Sequence, residues 1–144
     1  MNDDLAGANV NRSYSLAATS IAIFTFVLFF LYPKFASGEI DALVFQATLI
    51  VMGLATFSFV FSSFYYYCSS LGAGIDEAER DVYSQRGDRL WLLGYTLLFL
   101  APSLILFAVG LLAVAAVWLA LWLVYLLFVV SYFPKLQSVR TRSE

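Results

Sequence analysis

Residues 13–33, 42–75 and 90–134 contain no aspartate, glutamate, lysine, arginine or histidine, and these runs leave a chain of 144 residues few ways to fold. A helix packed on a water-soluble core keeps a polar face, whereas one crossing about 30 Å of hydrocarbon needs ~20 apolar residues in succession. Hydrocarbon also demands that backbone N–H and C=O groups be satisfied internally, which leaves helices or closed barrels. Hydrophobic residues make up 62% of the chain, against the ~45–50% of soluble domains, and mean hydropathy is +0.84. The runs are long enough to cross as helices at about 1.5 Å of rise per residue, so the expected class is an all-α integral membrane protein.

Run length sets the number of crossings. The first run predicts a span over about 14–32, with cap oxygens at Asn11 to Ser13 before it and Pro33 stopping it. Asp3 and Asp4 outweigh Arg12, and Lys34-Phe35-Ala36 does not offer a small-residue cleavage site, so this segment reads as a retained span. The second run, 42–75, would extend about 51 Å as helix, enough for one crossing, placed near 42–64. The third, 90–134, would reach about 67 Å and must fold back. Gly110 is the expected reversal point, dividing it into spans near 90–109 and 111–133, and the alternative is a re-entrant break at Pro102-Ser103. The predicted organisation is a terminal segment 1–13, a transmembrane domain 14–133 with a loop near 68–89, and a tail 134–144.

Four crossings put both termini on one side of the membrane. Arg12, Arg80, Arg86, Arg89, Lys135, Arg140 and Arg142 then share that side and only Lys34 lies opposite, so the positive-inside rule predicts cytoplasmic termini in a cell membrane, either a plasma membrane or a prokaryotic inner membrane. Tyr14, Tyr65 to Tyr67, Trp91 and Tyr132 fall near the expected inner boundary and Tyr32 near the outer one.

Small residues recur at helical spacing in every span, the pattern by which membrane helices approach closely. Ser15, Ala18, Ala22 and Thr25 mark the first helix and Ala47, Val51, Ala55, Ser58 and Ser62 the second. Gly94, Ala101 and Ala108 repeat every seventh residue on the third, and Ala113, Ala116 and Ala120 follow on the fourth. The expectation is a left-handed antiparallel four-helix bundle. Ala55, Ser58 and Ser62 are candidate packing or pore-lining residues, and Trp118, Trp122 and Tyr125 share a face suited to a partner or a flat apolar ligand. In the middle loop, Asp76 and Glu79 fit a capping box, Asp76 and Arg80 pair by charge, and Gly87 ends a short helix running to Arg86. Asp76, Glu79, Arg80 and Arg86 thus mark a candidate docking loop, and Asp88 can cap the third span.

Reactive groups are scarce. The chain has no histidine and one cysteine, Cys68, which excludes an intramolecular disulfide and the usual Cys/His metal sites. No ionisable residue lies within a span, unlike the small four-helix multidrug exporters with their membrane glutamate, and the chain is similar to them only in helix count. A net charge of −2 offers no broad basic surface for nucleic acid. The function expected is non-enzymatic, without cofactor or metal. It is an accessory or assembly subunit whose partners are membrane lipid and other membrane subunits or further copies of itself. The alternatives are a homo-oligomeric channel lined by neutral polar residues, and an enzyme or binder acting on lipid or another apolar ligand at the inner interface.

Overall fold

A computed structural model describes the backbone of residues 2–71 and 75–140 and the side chains of residues 7–71 and 75–131. It is all-helical: α1 (Asn2–Ala36), α2 (Ala42–Ser70), α3 (Glu77–Ala108) and α4 (Leu112–Arg140). Among the described residues four helices are long and apolar enough to cross a membrane, consistent with a four-helix bundle and compatible with an integral multi-pass protein. The side chains of Tyr132, Lys135 and Arg140, and Arg142 altogether, on which part of the orientation argument stands, lie outside what is described, as do the side chains of Asp3 and Asp4.

The helices outrun the expected spans because their ends are set by local chemistry. Pro33 sits inside α1 rather than ending it. Proline deprives only the carbonyl four residues earlier of its donor, and the helix runs on until Gly38. There φ reaches 77°, and Gly38 N–H donates to Phe35 O and Glu39 N–H to Lys34 O, the paired bonds of a Schellman motif. Asn11 to Ser13 therefore lie within α1 and cap nothing. The same motif recurs at Gly110, where φ is 80° and the N–H groups of Gly110 and Leu111 bond Phe107 O and Leu106 O. That is the reversal between α3 and α4, and α3 passes through Pro102 without a re-entrant break. Asp41 caps α2 by accepting from Val44 N–H at 2.9 Å.

Three expectations for the middle loop are overturned. Gly87 terminates no short helix, because α3 is continuous from Glu77 to Ala108, and Asp76 occupies the N-cap with no side-chain capping bond. Gly87 is instead a place of close approach: a Cβ there would stand 2.9 Å from Tyr66 Cε1. A helix interior accepts glycine at a cost of about 1 kcal/mol, which a tight helix contact offsets. Asp88, mid-helix, has no span to cap.

Interfaces follow chain order, most extensive between α2 and α3, less so between α1 and α2, and least between α3 and α4. The buried rows of α1, α2 and α3 share a seven-residue register, the signature of knobs packed into holes. On α2, Phe45, Met52, Phe59 and Tyr66 are buried at that interval, with Thr48, Ala55, Ser62 and Ser69 between them. On α3 the row is Gly87, Gly94, Ala101 and Ala108. On α1 it is Ser13, Ser20 and Val27, with Ala17 alongside. The small-residue row expected to pack on α1, Ser15, Ala18, Ala22 and Thr25, is exposed, as is Ala113, Ala116 and Ala120 on α4, where Ala115 is the buried residue. Spacing alone could not separate neighbouring rows on helices that are apolar all round.

The seams differ at their two ends. Val27, Ile40, Phe45, Met52, Ala101 and Ala108 form an apolar cluster at one end. At the other, hydroxyls take over. Thr56 donates to Met52 O at 2.9 Å, so its single proton is used and Ser20 donates to Thr56 Oγ1 at 2.8 Å. Likewise Ser62 donates to Gly87 O at 2.8 Å and receives Ser13 at 3.5 Å. Ser63 Oγ is buried with no hydrogen-bond partner among the described residues. An unsatisfied buried hydroxyl costs about 1–3 kcal/mol, so Ser63→Ala is expected to leave the thermal midpoint in detergent unchanged or raised, and a clear fall would show that this hydroxyl has a partner.

Candidate functional site

Polar chemistry concentrates where the first halves of α1 and α3 meet the last turns of α2. Tyr66 is buried on α2 and its hydroxyl donates to Asp88 Oδ1 at 2.6 Å, the short length of a bond to a charged acceptor. The Arg12 guanidinium lies over the Trp91 ring, 4.5 Å from its centroid, within cation–π range. Asn9, one turn before Arg12, completes the lining of a cavity of about 110 Å³ formed with Arg12, Tyr66, Asp88 and Trp91. Beneath it sit Ser13, Ser62 and the Gly87 carbonyl. Gly87 is what allows this: with no side chain there, the Tyr66 ring comes close against α3 and its hydroxyl reaches the next residue.

The sequence names these residues singly but not as a group. The available signal is positional. Arg12 is the last charge before the first charge-free run, Asp88 and Arg89 are the last before the third, and the tyrosines 65–67 directly follow the span expected at 42–64 within the second. Groups that end such runs at the same face of a bundle are brought to one depth.

The residues singled out from sequence fall into three separate places. Ala55, Ser58 and Ser62 are buried on α2; Ser58 donates to Leu54 O at 2.7 Å and Ser62 joins the polar cluster. Trp118, Trp122 and Tyr125 share a face of α4 and, with Phe99 and Leu121, border an apolar groove of about 210 Å³. Trp122 is tied to α3 by its indole N–H donating to Thr96 O at 2.8 Å, and Tyr125 packs 5.3 Å from Phe99, while Trp118 remains 41% exposed. Asp76, Glu79, Arg80 and Arg86 line the start of α3, where all but Arg80 are exposed and Arg80 Nε is buried without a hydrogen-bond partner among the described residues. Cys68 is a free, half-buried thiol.

No family model matches this chain, and neither a curated protein nor a solved structure matches it. The functional reading therefore rests on the geometry.

Proposed function

We propose that this chain is a non-catalytic membrane protein acting through helix–helix association, an accessory or assembly subunit of a larger membrane complex that also meets copies of itself. Its helices are antiparallel and its termini cytoplasmic. The observation that carries the reading is the unequal fate of the small-residue rows. Those of α2 and α3 are consumed inside the protomer, while Ser15, Ala18, Ala22 and Thr25 on α1 and Ala113, Ala116 and Ala120 on α4 face outward. Lipid tails pack as well against leucine as against alanine, so an outward small row has a physical use chiefly when another backbone approaches it. α1 and α4 are also the two helices that each pack extensively on one neighbour alone among the described residues.

The contact of Arg12 with Trp91, the pairing of Ser13 with Ser62 and that of Phe35 with Phe45 support the antiparallel arrangement and a shared side for the basic residues. Burial of Ser58 and Ser62 within one protomer gives the oligomeric-pore reading no support.

The test is affinity purification from native membranes in mild detergent, comparing the wild type with an Ala18→Leu/Ala22→Leu variant. The wild type is expected to carry a stoichiometric membrane partner. The variant should lose it by about tenfold or more, the equivalent of ~1.4 kcal/mol, while its own thermal midpoint stays put, because both side chains point outward. A wild-type protein that is strictly monomeric and unaccompanied ends the proposal.

A further inference from the structure

The groove between α3 and α4 holds polar groups at a depth where a bilayer offers them no partner. Trp118, Trp122 and Tyr125 share one face of α4, with Leu121 between them and Phe99 across from them on α3. At about 1.5 Å of rise per residue, Trp118 and Tyr125 each stand about 12 Å or more from both Gly110 and Lys135, and Phe99 about 15 Å or more from both Arg89 and Gly110. In a membrane these rings lie in the middle of the hydrocarbon, whereas tryptophan and tyrosine ordinarily collect at its edges. The Trp122 N–H is satisfied by Thr96 O at 2.8 Å. The Trp118 indole N–H and the Tyr125 hydroxyl have no such partner among the described residues, and Trp118 is exposed and Tyr125 half-buried. We infer that this groove binds a flat, uncharged ring with carbonyl oxygens on opposite edges, a para-quinone, seated between Trp118 and Tyr125 with its oxygens accepting from those two donors.

Three features select that class. First, an indole N–H can only donate, so its partner must bring an acceptor, and in hydrocarbon no water competes for the place. Acyl chains carry their ester oxygens at the headgroup level, a carotene carries no oxygen, and a sterol keeps its single hydroxyl at the interface. An uncharged quinone ring dissolves in hydrocarbon and takes its acceptors to the midplane. Second, Trp118 and Tyr125 lie about two turns apart on one face, with Leu121 and Trp122 between them. Two donors thus flank one apolar floor, as two oxygens flank one ring. Third, Trp122 and Phe99 give that floor and wall aromatic surface, against which a flat conjugated ring packs. No charged side chain lines the groove, so a charged ligand gains nothing there. The inference needs the chain to lie in a bilayer. It does not rest on the association proposed above, because Ala113, Ala116 and Ala120 occupy the other side of α4.

The experiment is isothermal titration calorimetry of the protein in phosphatidylcholine nanodiscs, with empty nanodiscs subtracted, against 2,3-dimethyl-1,4-naphthoquinone and 2,3-dimethylnaphthalene. The two probes share a ring system and differ in the carbonyl groups, and the methyls block addition of the free Cys68 thiol. The quinone is expected to bind the wild type about fivefold or more tightly than the hydrocarbon, equivalent to about 1 kcal/mol, the scale of one hydrogen bond. The double variant Trp118→Phe/Tyr125→Phe keeps both rings and has neither donor. It should bind the two probes equally at an unchanged thermal midpoint, because neither donor is bonded within the protein among the described residues. Ala18→Leu/Ala22→Leu should retain the preference, so failure of the association reading leaves this one standing. Equal binding of the two probes by the wild type, no binding, or a preference surviving in the double variant overturns the inference. A membrane protein that accompanies the wild type and is lost from Trp118→Leu, with no quinone preference in either, assigns the groove to a partner helix and overturns it likewise.

Discussion

Alanine in place of Phe59 is expected to cost about 3 kcal/mol of stability in detergent, at the lower edge of the ~3–5 kcal/mol seen for Phe→Ala in soluble cores. Phe59 is fully buried at the α2–α3 seam, and a Cβ on Gly94 would stand 2.8 Å from its Cε1, so the ring fills the notch that glycine leaves. It meets the Tyr95 ring edge-to-face with centroids 5.6 Å apart and planes at 89°, an arrangement worth roughly 0.5–1.5 kcal/mol beyond burial. The lower edge applies because separated helices remain in an apolar solvent, so removing the ring forfeits contacts and ring geometry more than it forfeits escape from water. Denaturant titration of helicity and of tertiary fluorescence would measure the loss. A value under about 1 kcal/mol, the scale of a mild core trimming such as Ile→Val, would mean the seam does not depend on this contact.

Gly87→Leu should destabilise by about 1–3 kcal/mol, the usual scale of overpacking, and should also dismantle the polar cluster. The new side chain meets the Tyr66 ring, whose carbon already stands 2.9 Å from the Cβ position. The ring cannot swing aside cheaply because its hydroxyl is held by Asp88 at 2.6 Å. The helices must part instead, stretching the Ser62 bond to Gly87 O. The Trp91 contribution to tryptophan fluorescence, set by the Arg12 guanidinium over its ring, is expected to change together with the fall in stability. Wild-type stability and an unchanged Trp91 signal would show that α2 and α3 do not approach closely here.

Part of this fold is legible in the residues. The runs without charge specify helices, and the third run is too long for one crossing, so a reversal is required. Gly110 is suited to it because glycine takes positive φ without a Cβ clash. The seven-residue repeat of Gly94, Ala101 and Ala108 marks a true contact row, since three small residues in strict register favour a backbone neighbour. Gly87 belongs to the same row, yet its flanking charges make it look like a helix stop. The polar cavity is harder still to foresee: Arg12, Tyr66, Asp88 and Trp91 come from three helices and have no common spacing.

What the sequence determines by itself is helix number, approximate length and the level at which charges sit, because each follows from the cost of placing a charge or an open backbone group in hydrocarbon, a local property of a segment. What the tertiary structure decides is facing. On α1 it buries Ser13, Ala17 and Ser20 and leaves Ser15, Ala18 and Ala22 outside, although both rows are small and equally spaced. Lipid removes the contrast of apolar and polar sides that orients a helix in water. The choice of face then falls to partner shapes and hydroxyl bonds such as Ser20 to Thr56, which exist only once the helices meet.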